Sequence, residues 1–198
     1  MSDVKNISER ISYKKHPDFI TLVISPRLEE KKQLLLSFWF FAWTFCGLVF
    51  ISQLFFAKTQ EFIISLIVMI SFWAYYEYRI GYVWMWRRKG VELIKLEDGK
   101  MTYKRSLRSM GKAYDFYVDN IRNFGLVEIK PTSFGAVMSN SFWVIGGERL
   151  RFEYQNKEVK IGIQLSDEEA DKLRRFLNDL FIDELKKLKE QGRPLASV

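Results

Sequence analysis

The sequence contains one cysteine and one histidine, and their scarcity excludes several kinds of site. Cys46 lies inside a long apolar run, whereas His16 lies near the N-terminus. A disulfide framework, a Cys/His zinc site and a Cys-His nucleophile each need more of these residues, or need them close together. We therefore expect no metal site and no cofactor, and we interpret Cys46 as a small apolar packing residue.

Motifs for catalysis are also missing. The sequence has no Gly-rich phosphate loop, no G-x-S-x-G, no H-E-x-x-H and no carboxylate pair on one face of a predicted element. The acidic cluster 167–169 lies at a predicted helix start, where the helix dipole favours negative charge. These absences predict no enzymatic activity and no catalytic residues.

Charge is absent from two long runs that are separated by a short polar connector. No residue from Leu34 to Ala57 is charged, and the run from Phe62 to Trp86 contains only Glu77 and Arg79. A helix of about 20 apolar residues crosses the hydrocarbon core of a bilayer. The sequence therefore predicts a transmembrane hairpin at residues 26–89, with spans at about 34–57 and 62–82.

Basic residues flank the outer ends of this hairpin, whereas the connector contains one lysine. They are Arg27, Lys31 and Lys32 before the first span and Arg87, Arg88 and Lys89 after the second, against Lys58 in the connector. The positive-inside rule then predicts a multi-pass protein of the cytoplasmic (inner) membrane with both termini in the cytoplasm. The first run is too long and begins too late for a signal peptide.

The two charged residues of the second run allow two interpretations. Counting about 20 residues from Phe62 places Glu77 and Arg79 in the last turns of the span. From there both side chains can reach the headgroup region at little cost, which is the interpretation we favour. Alternatively, they contact another membrane subunit. Their spacing places them on different sides of a helix, so they are not expected to pair with each other.

The ends of the hairpin have helix signals. Ser25 and Pro26 are typical of a helix start, so the first helix is expected to run from Pro26 to Ala57. Gly90 follows basic residues and suits a helix C-terminus with positive φ. In the segment 1–25, Phe19 to Ile24 is either a short strand or a segment on the membrane surface. The pattern leaves open whether this segment joins the following domain.

After Gly90 the pattern changes to short apolar runs separated by turn residues. Strands are predicted at 91–96, 101–105, 113–118, 121–129, 142–145, 149–154 and 158–163. A capping box from Ser166 to Glu169 then begins an amphipathic helix. The predicted fold is thus the transmembrane hairpin followed by an α+β domain at 90–191, with about seven antiparallel strands, a C-terminal helix and a flexible tail at 192–198.

This order of elements, best marked by Val159–Ile163 running into the Ser166 cap, resembles the pleckstrin-homology (PH) superfold. Two spans joined to a cytoplasmic PH-like domain resemble a group of bacterial membrane proteins, and the architecture is also similar to that of the thylakoid photosystem I assembly factor. The resemblance implies binding to lipid headgroups or to proteins, without catalysis. A superfold alone does not define a function.

Five basic residues without an intervening acid form a candidate anion site: Lys100, Lys104, Arg105, Arg108 and Lys112. In PH domains that bind phosphoinositides, such residues line an early hairpin loop, so the resemblance implies a contact with an anionic headgroup or ligand. Two other interpretations remain open. The residues can form a solvated basic edge strand that prevents edge pairing, or they can lie diffusely against an anionic bilayer.

A second candidate surface is apolar. The irregular segment 130–140 contains Phe134 and Met138, followed by Phe142 and Trp143. Most of these side chains are expected in the core, but exposed ones would suit a partner protein. The candidate partner contacts are therefore Glu77, Arg79, Phe134 and Met138.

Taken with the net charge of +7, these patterns predict a membrane protein without a need for nucleic acid, since anionic lipid explains a mild basic bias. Its partners are the lipid bilayer and other membrane-protein subunits. The predicted function is that of a non-enzymatic scaffold, assembly factor or accessory subunit of a larger membrane complex. The alternative is a sensor of anionic lipid headgroups or of a small anionic signalling ligand through the basic loop.

Overall fold

The computed structural model describes residues 4–27, 29–127, 141 and 143–190. It divides into two compact units. A helical unit comprises Leu28–Arg88 together with Phe142–Ile145, and a β unit comprises the remaining three segments of the chain.

The helical unit is built from α1, Glu30–Gln53, and α2, Gln60–Lys89. The predicted start at Pro26 is wrong because Ser25 is held in the β unit, where its amide donates to the carbonyl of Arg10. The predicted end at Ala57 is also wrong, since α1 ends at Gln53 and is followed by tighter hydrogen-bonded turns from Leu54 to Phe56.

The expected glycine cap after the second helix is not formed. Gly90 is the first residue of a strand and does not have the positive φ that such a cap requires. The chain passes from α2 directly into the β unit. The helix therefore ends at Lys89 without a following residue in the left-handed conformation.

The β unit contains two antiparallel sheets. The first has six strands in chain order: β1 Val4–Asn6, β2 Ile11–Lys15, β3 Phe19–Ile24, β4 Gly90–Glu97, β5 Lys100–Leu107 and β6 Ala113–Tyr117. After a 3₁₀ turn at Val118–Asn120, the second sheet has β7 Ile121–Leu126, β8 Glu148–Tyr154 and β9 Lys157–Ile163. The C-terminal helix α3, Asp167–Glu190, follows.

The N-terminal segment is part of the first sheet, which answers the question that the sequence left open. Strand β3 pairs with β4 from Phe19 opposite Glu97 to Ile24 opposite Glu92. The helical hairpin is thus inserted between two neighbouring strands of one sheet. The β unit is discontinuous in sequence and begins before the hairpin, not only at residue 90.

One predicted strand is wrong. Residues 143–145 form turns and belong to the helical unit, while Phe142 lies outside the described residues. The ring of Trp143 packs edge-on against Trp39 at 5.6 Å, and Arg87 donates a hydrogen bond of 3.1 Å to the carbonyl of Val144. The apolar side chains that suggested a strand therefore pack on helices.

The predicted capping box and the apolar stripe of the last helix are confirmed. The Ser166 amide donates to Glu169 at 3.0 Å, and the Glu169 amide donates to Ser166 Oγ at 3.1 Å. One face of α3 is buried against strands of both sheets, forming a single core. Representative members of this core are Ile11, Leu22, Ile94, Met101, Leu150, Phe152, Ile161, Leu173 and Leu177.

Candidate functional site

Three side-chain hydrogen bonds align α1 with α2. Trp73 donates to the carbonyl of Trp43 at 2.9 Å, and Trp84 donates to Ser37 Oγ at 3.0 Å. Next to Trp43, Thr44 Oγ1 lies 2.7 Å from Glu77 Oε1. Glu77 is therefore opposite a residue near the middle of the uncharged stretch of α1.

The alignment of the helices bears on the expectation that Glu77 lies in the last turns of its span, which stays a prediction. That expectation assumed a helix that leaves the apolar region near residue 82, whereas α2 continues to Lys89. Trp84 is level with Ser37, which lies near the start of the uncharged run of α1. Arg79 is exposed, and a separation of two residues directs it to the other side of α2.

The Glu77 carboxyl group is only partly satisfied. Thr44 has one hydroxyl proton, and the same oxygen also lies 2.8 Å from the carbonyl of Phe40, so Thr44 can donate to only one of the two at a time. Glu77 Oε2 is buried and has no hydrogen-bond partner among the described residues. The hairpin thus presents a carboxylate with an unused acceptor.

A groove of about 310 Å³ adjoins this carboxylate. Glu77 is the one carboxylate in its wall, which is otherwise mostly aromatic: the lining residues are Phe40, Glu77, Tyr78, Gly81, Tyr82, Trp84 and Met85. Phe40 and Trp84 stack with ring centroids 5.3 Å apart. A Cβ at Gly81 would approach Phe40 to 3.2 Å, so the glycine keeps this wall open.

The two helices are long and apolar enough to cross a membrane. Only 11% of the most apolar stretch of α1 and 6% of that of α2 are buried within the protein. Large exposed side chains include Leu34, Phe38, Phe41, Phe45, Leu48, Ile64, Ile67, Val68, Phe72 and Tyr75. A helix of a water-soluble core would be mostly buried, so this exposure supports association with a membrane.

The five basic residues predicted as an anion site do not converge. Lys100 pairs with Asp115 at 3.5 Å, and Lys104 donates to the carbonyl of Ser109 at 3.0 Å. Arg105 lies on the opposite face of β5, where it donates to Glu148 at 2.8 Å. The exposed members that remain are Arg108 and Lys112, which flank a turn.

That turn joins β5 to β6 and has an exposed apolar tip. Arg108 and Ser109 occupy its centre with φ of 50° and 71°, the conformation of a type I′ turn. Met110 is 73% exposed, and the ammonium of Lys112 lies 5.2 Å from the ring centre of Tyr114. A methionine between two cations is a combination suited to an anionic surface with an apolar layer beneath it.

A buried carboxylate that sequence reasoning missed lies at the junction of the two sheets. Glu92 is 1% exposed and accepts hydrogen bonds from the Tyr103 hydroxyl at 2.5 Å and from the amides of Gly162 and Ile163 at 3.0 and 2.7 Å. Arg105 Nε donates to the same hydroxyl at 2.8 Å. The sequence did contain a signal for this burial, because Glu92 lies two residues before Ile94 and therefore on the same, core-facing side of β4.

Burial changes the proton affinities around this carboxylate. Burial and the adjacent Glu92 raise the pKa of Tyr103 above its usual range. Burial lowers the pKa of Arg10, an effect that Glu169 opposes. Arg10 donates to the carbonyls of Ser25, Ile163 and Gln164. Since these polar groups bond to one another, the network serves to join the sheets.

The remaining predicted contacts, Phe134 and Met138, lie outside the described residues. Within the part of the chain that the structure describes, no group of three potential metal ligands is found. Comparisons with protein families, with curated proteins and with solved structures found no match to this chain.

Proposed function

We propose that the chain is an integral membrane protein that scaffolds, assembles or supports a larger membrane complex without catalysing a reaction. The observation that carries the proposal is the hairpin itself, whose two long apolar helices bury little of their surface within the protein. Such lateral surface must be covered by lipid or by other membrane helices. Aromatic side chains are abundant there and favour helix packing.

The insertion of the hairpin into a sheet supports a scaffolding role. The chain on either side of the hairpin forms the paired strands β3 and β4, so two covalent connections, instead of one, join the β unit to the membrane segment. Two connections support a role in which the β unit acts together with the membrane segment.

We further propose that the β unit is PH-like. Six antiparallel strands lie between the hairpin and α3, one fewer than predicted, and β3 from before the hairpin brings the number to seven. Strands β1 and β2 would then be additions at the edge of the first sheet. The basic residues at the outer ends of the hairpin support a cytoplasmic position for this unit under the positive-inside rule.

The test is the size and composition of the particle that contains the chain in its native membrane. C-terminally tagged protein is solubilised in a mild detergent and analysed by native electrophoresis and mass spectrometry. We expect a particle larger than the monomer, with other membrane proteins in fixed proportion to the chain. A tagged β unit without its hairpin is the matched control and should not recover them. A monomer that carries only detergent and lipid overturns the proposal.

A second candidate function is recognition of an anionic lipid headgroup or of a small anionic signalling ligand. The observation that favours it is the turn at Leu107–Met110, where exposed Arg108 and Met110 precede Lys112. This turn lies at the same end of the sheet as Gly90, the first residue after α2, because Gly90 pairs with Leu107. Only two of the five predicted cations are available there.

A further inference from the structure

The two carboxylate oxygens of Glu77 differ in their hydrogen bonding within the hairpin. Oε1 of this carboxylate is bonded to Thr44, whereas Oε2 is buried without a donor among the described residues. A buried carboxylate oxygen without a donor destabilises the isolated protein, so a compensating positive charge beside Glu77 is favoured. Lipid tails cannot supply one, since they contain only hydrocarbon at this depth.

The shape of the adjoining groove limits what can enter it. Its volume of about 310 Å³ is at the lower end of ligand pockets and holds one or two large side chains. Stacked Phe40 and Trp84 form a flat apolar wall, and Gly81 removes a side chain that would narrow it. A long side chain with an apolar stem and a cationic end fits this combination.

We propose that the groove binds a lysine or arginine side chain from a transmembrane helix of another protein, with Glu77 as its counter-charge. The inference rests on the proposed function, since it requires the hairpin to lie in a membrane. Charge complementarity in a medium of low dielectric constant makes a cation the best donor for a carboxylate. The aromatic wall adds a favourable surface for the cation and its stem.

A second copy of the chain does not suit the groove. The hairpin's other charged residue in this region is Arg79, which lies on the opposite side of α2 from Glu77. A closed twofold dimer would have to contain both residues in one self-complementary patch. The geometry therefore favours a different protein as the source of the cation.

The test is site-specific photocrosslinking of the full chain in its native membrane. A benzophenone amino acid replaces Tyr82 in the groove wall, and Met69 on another face of α2 is the control position. Crosslinked peptides are identified by mass spectrometry. We expect Tyr82, but not Met69, to crosslink to a membrane helix of another protein with a lysine or arginine within about one turn of the crosslink.

The substitution Glu77→Gln tests the role of the negative charge, because it removes the charge and keeps the size of the side chain. Glutamine keeps the length of the side chain and can still accept from Thr44, so the hairpin is expected to remain folded, as judged by its resistance to protease. Loss of a buried charge pair should lower the Tyr82 crosslink by at least about tenfold. Replacing the partner's basic residue with alanine should produce the same loss.

Each other outcome decides against the inference. It is overturned if the crosslink survives Glu77→Gln, if it forms only to lipid or to a second copy, or if the partner helix has no basic residue there. The proposed function has a separate test, because the complex can be purified with Glu77→Gln as well. A complex that persists without the groove crosslink rejects only this site, whereas a monomer in detergent rejects both.

Discussion

Leu22 of β3 lies directly opposite Ile94 of β4 in the first sheet, although the entire helical hairpin separates them in the sequence. Both side chains are almost fully buried in the core of the β unit. The β unit is therefore assembled from segments on both sides of the hairpin. It cannot be obtained by cutting the chain after the second apolar run.

The first prediction is that the hairpin can be removed without unfolding the β unit. Because β3 and β4 are antiparallel neighbours, a two-residue Asn-Gly turn can replace residues 26–90 and join Ser25 to Val91. We expect a water-soluble protein that unfolds cooperatively, with a stability of about 5–10 kcal/mol. Circular dichroism during urea denaturation measures it. An insoluble product would contradict the described pairing.

The fragment 90–191 is the matched control for this variant. It lacks β1 to β3 and with them Ile11, Leu22 and Ile24, which are each at most 1% exposed in the structure. It also leaves β4 as an unpaired edge. We expect the fragment to aggregate or to remain unfolded under conditions in which the Asn-Gly variant is folded.

The second prediction concerns the buried carboxylate between the sheets. Both carboxylate oxygens of Glu92 accept hydrogen bonds from Tyr103, Gly162 and Ile163. In Glu92→Gln an NH2 group replaces one of these oxygens and cannot accept, so at least one donor loses its acceptor. We expect the free energy of unfolding to fall by about 1–3 kcal/mol. Urea denaturation of the hairpin-deleted protein provides the measurement.

The control for Glu92 is Glu97→Gln on the same strand. Glu97 forms a partly exposed ion pair with Lys95 at 2.7 Å, and such pairs contribute at most about 1 kcal/mol. Its substitution should therefore change stability little. Equal effects at both positions would show that Glu92 is not the buried acceptor described.

Several features of the β unit were accessible from sequence because they depend on local patterns. Alternating apolar residues and turn residues predicted most strands, and the reciprocal spacing of Ser166 and Glu169 predicted the start of α3. The partnership of β3 with β4 was not accessible. It joins residues that are distant in the chain, and no local signal distinguishes such a strand from a segment on a membrane surface.

In the candidate site, too, local patterns were accessible from sequence and contacts between elements were not. Apolar length predicted two candidate spans, but the position of Glu77 opposite Thr44 depends on how α1 aligns with α2, and counting along one helix cannot determine that. Arg105 was grouped with other cations by proximity in sequence. Its phase on β5 directs it inward, and the acceptor Glu148 lies on a strand of the other sheet. Pairing between elements, not composition, decides both cases.

The third prediction is a dependence of stability on alkaline pH. Burial and Glu92 raise the pKa of Tyr103 above its usual range, so the unfolded chain releases this proton at a lower pH than the folded protein does. The contribution of the Tyr103 hydroxyl to the free energy of unfolding is complete below about pH 10 and declines as the pH rises above it. The stability advantage over Tyr103→Phe should shrink by about 1.4 kcal/mol at about pH 11.

The free energy of unfolding of wild type and of Tyr103→Phe is measured by urea denaturation in the hairpin-deleted protein, from about pH 8 to about pH 11. Tyr114→Phe, at an exposed position on β6, is the control and should follow the wild-type curve. A constant difference between wild type and Tyr103→Phe over this interval would contradict the prediction.

The fourth prediction tests the packing of the hairpin. A Cβ at Gly47 would overlap the indole of Trp73, whereas a Cβ at Gly81 would meet Phe40 at the tolerable distance of 3.2 Å. We expect Gly47→Ala to destabilise the hairpin by about 1–3 kcal/mol through overpacking and Gly81→Ala to have a smaller effect. Unfolding of the full chain in SDS, followed by tryptophan fluorescence, compares them. The reverse order would contradict the described alignment of the helices.

The fifth prediction tests the turn between β5 and β6 as a membrane contact. The single native cysteine is replaced by alanine, and a fluorescent label is attached at Met110→Cys or, as control, at Asn156→Cys in the exposed turn between β8 and β9.

In vesicles that contain anionic lipid and a quencher near the headgroups, we expect stronger quenching of the label at position 110 than of the label at position 156. Alanine at Arg108 and Lys112 should weaken it, because each cation near an anionic surface contributes about 1 kcal/mol. Equal quenching at positions 110 and 156, or no effect of the alanines, would exclude this turn as the headgroup contact.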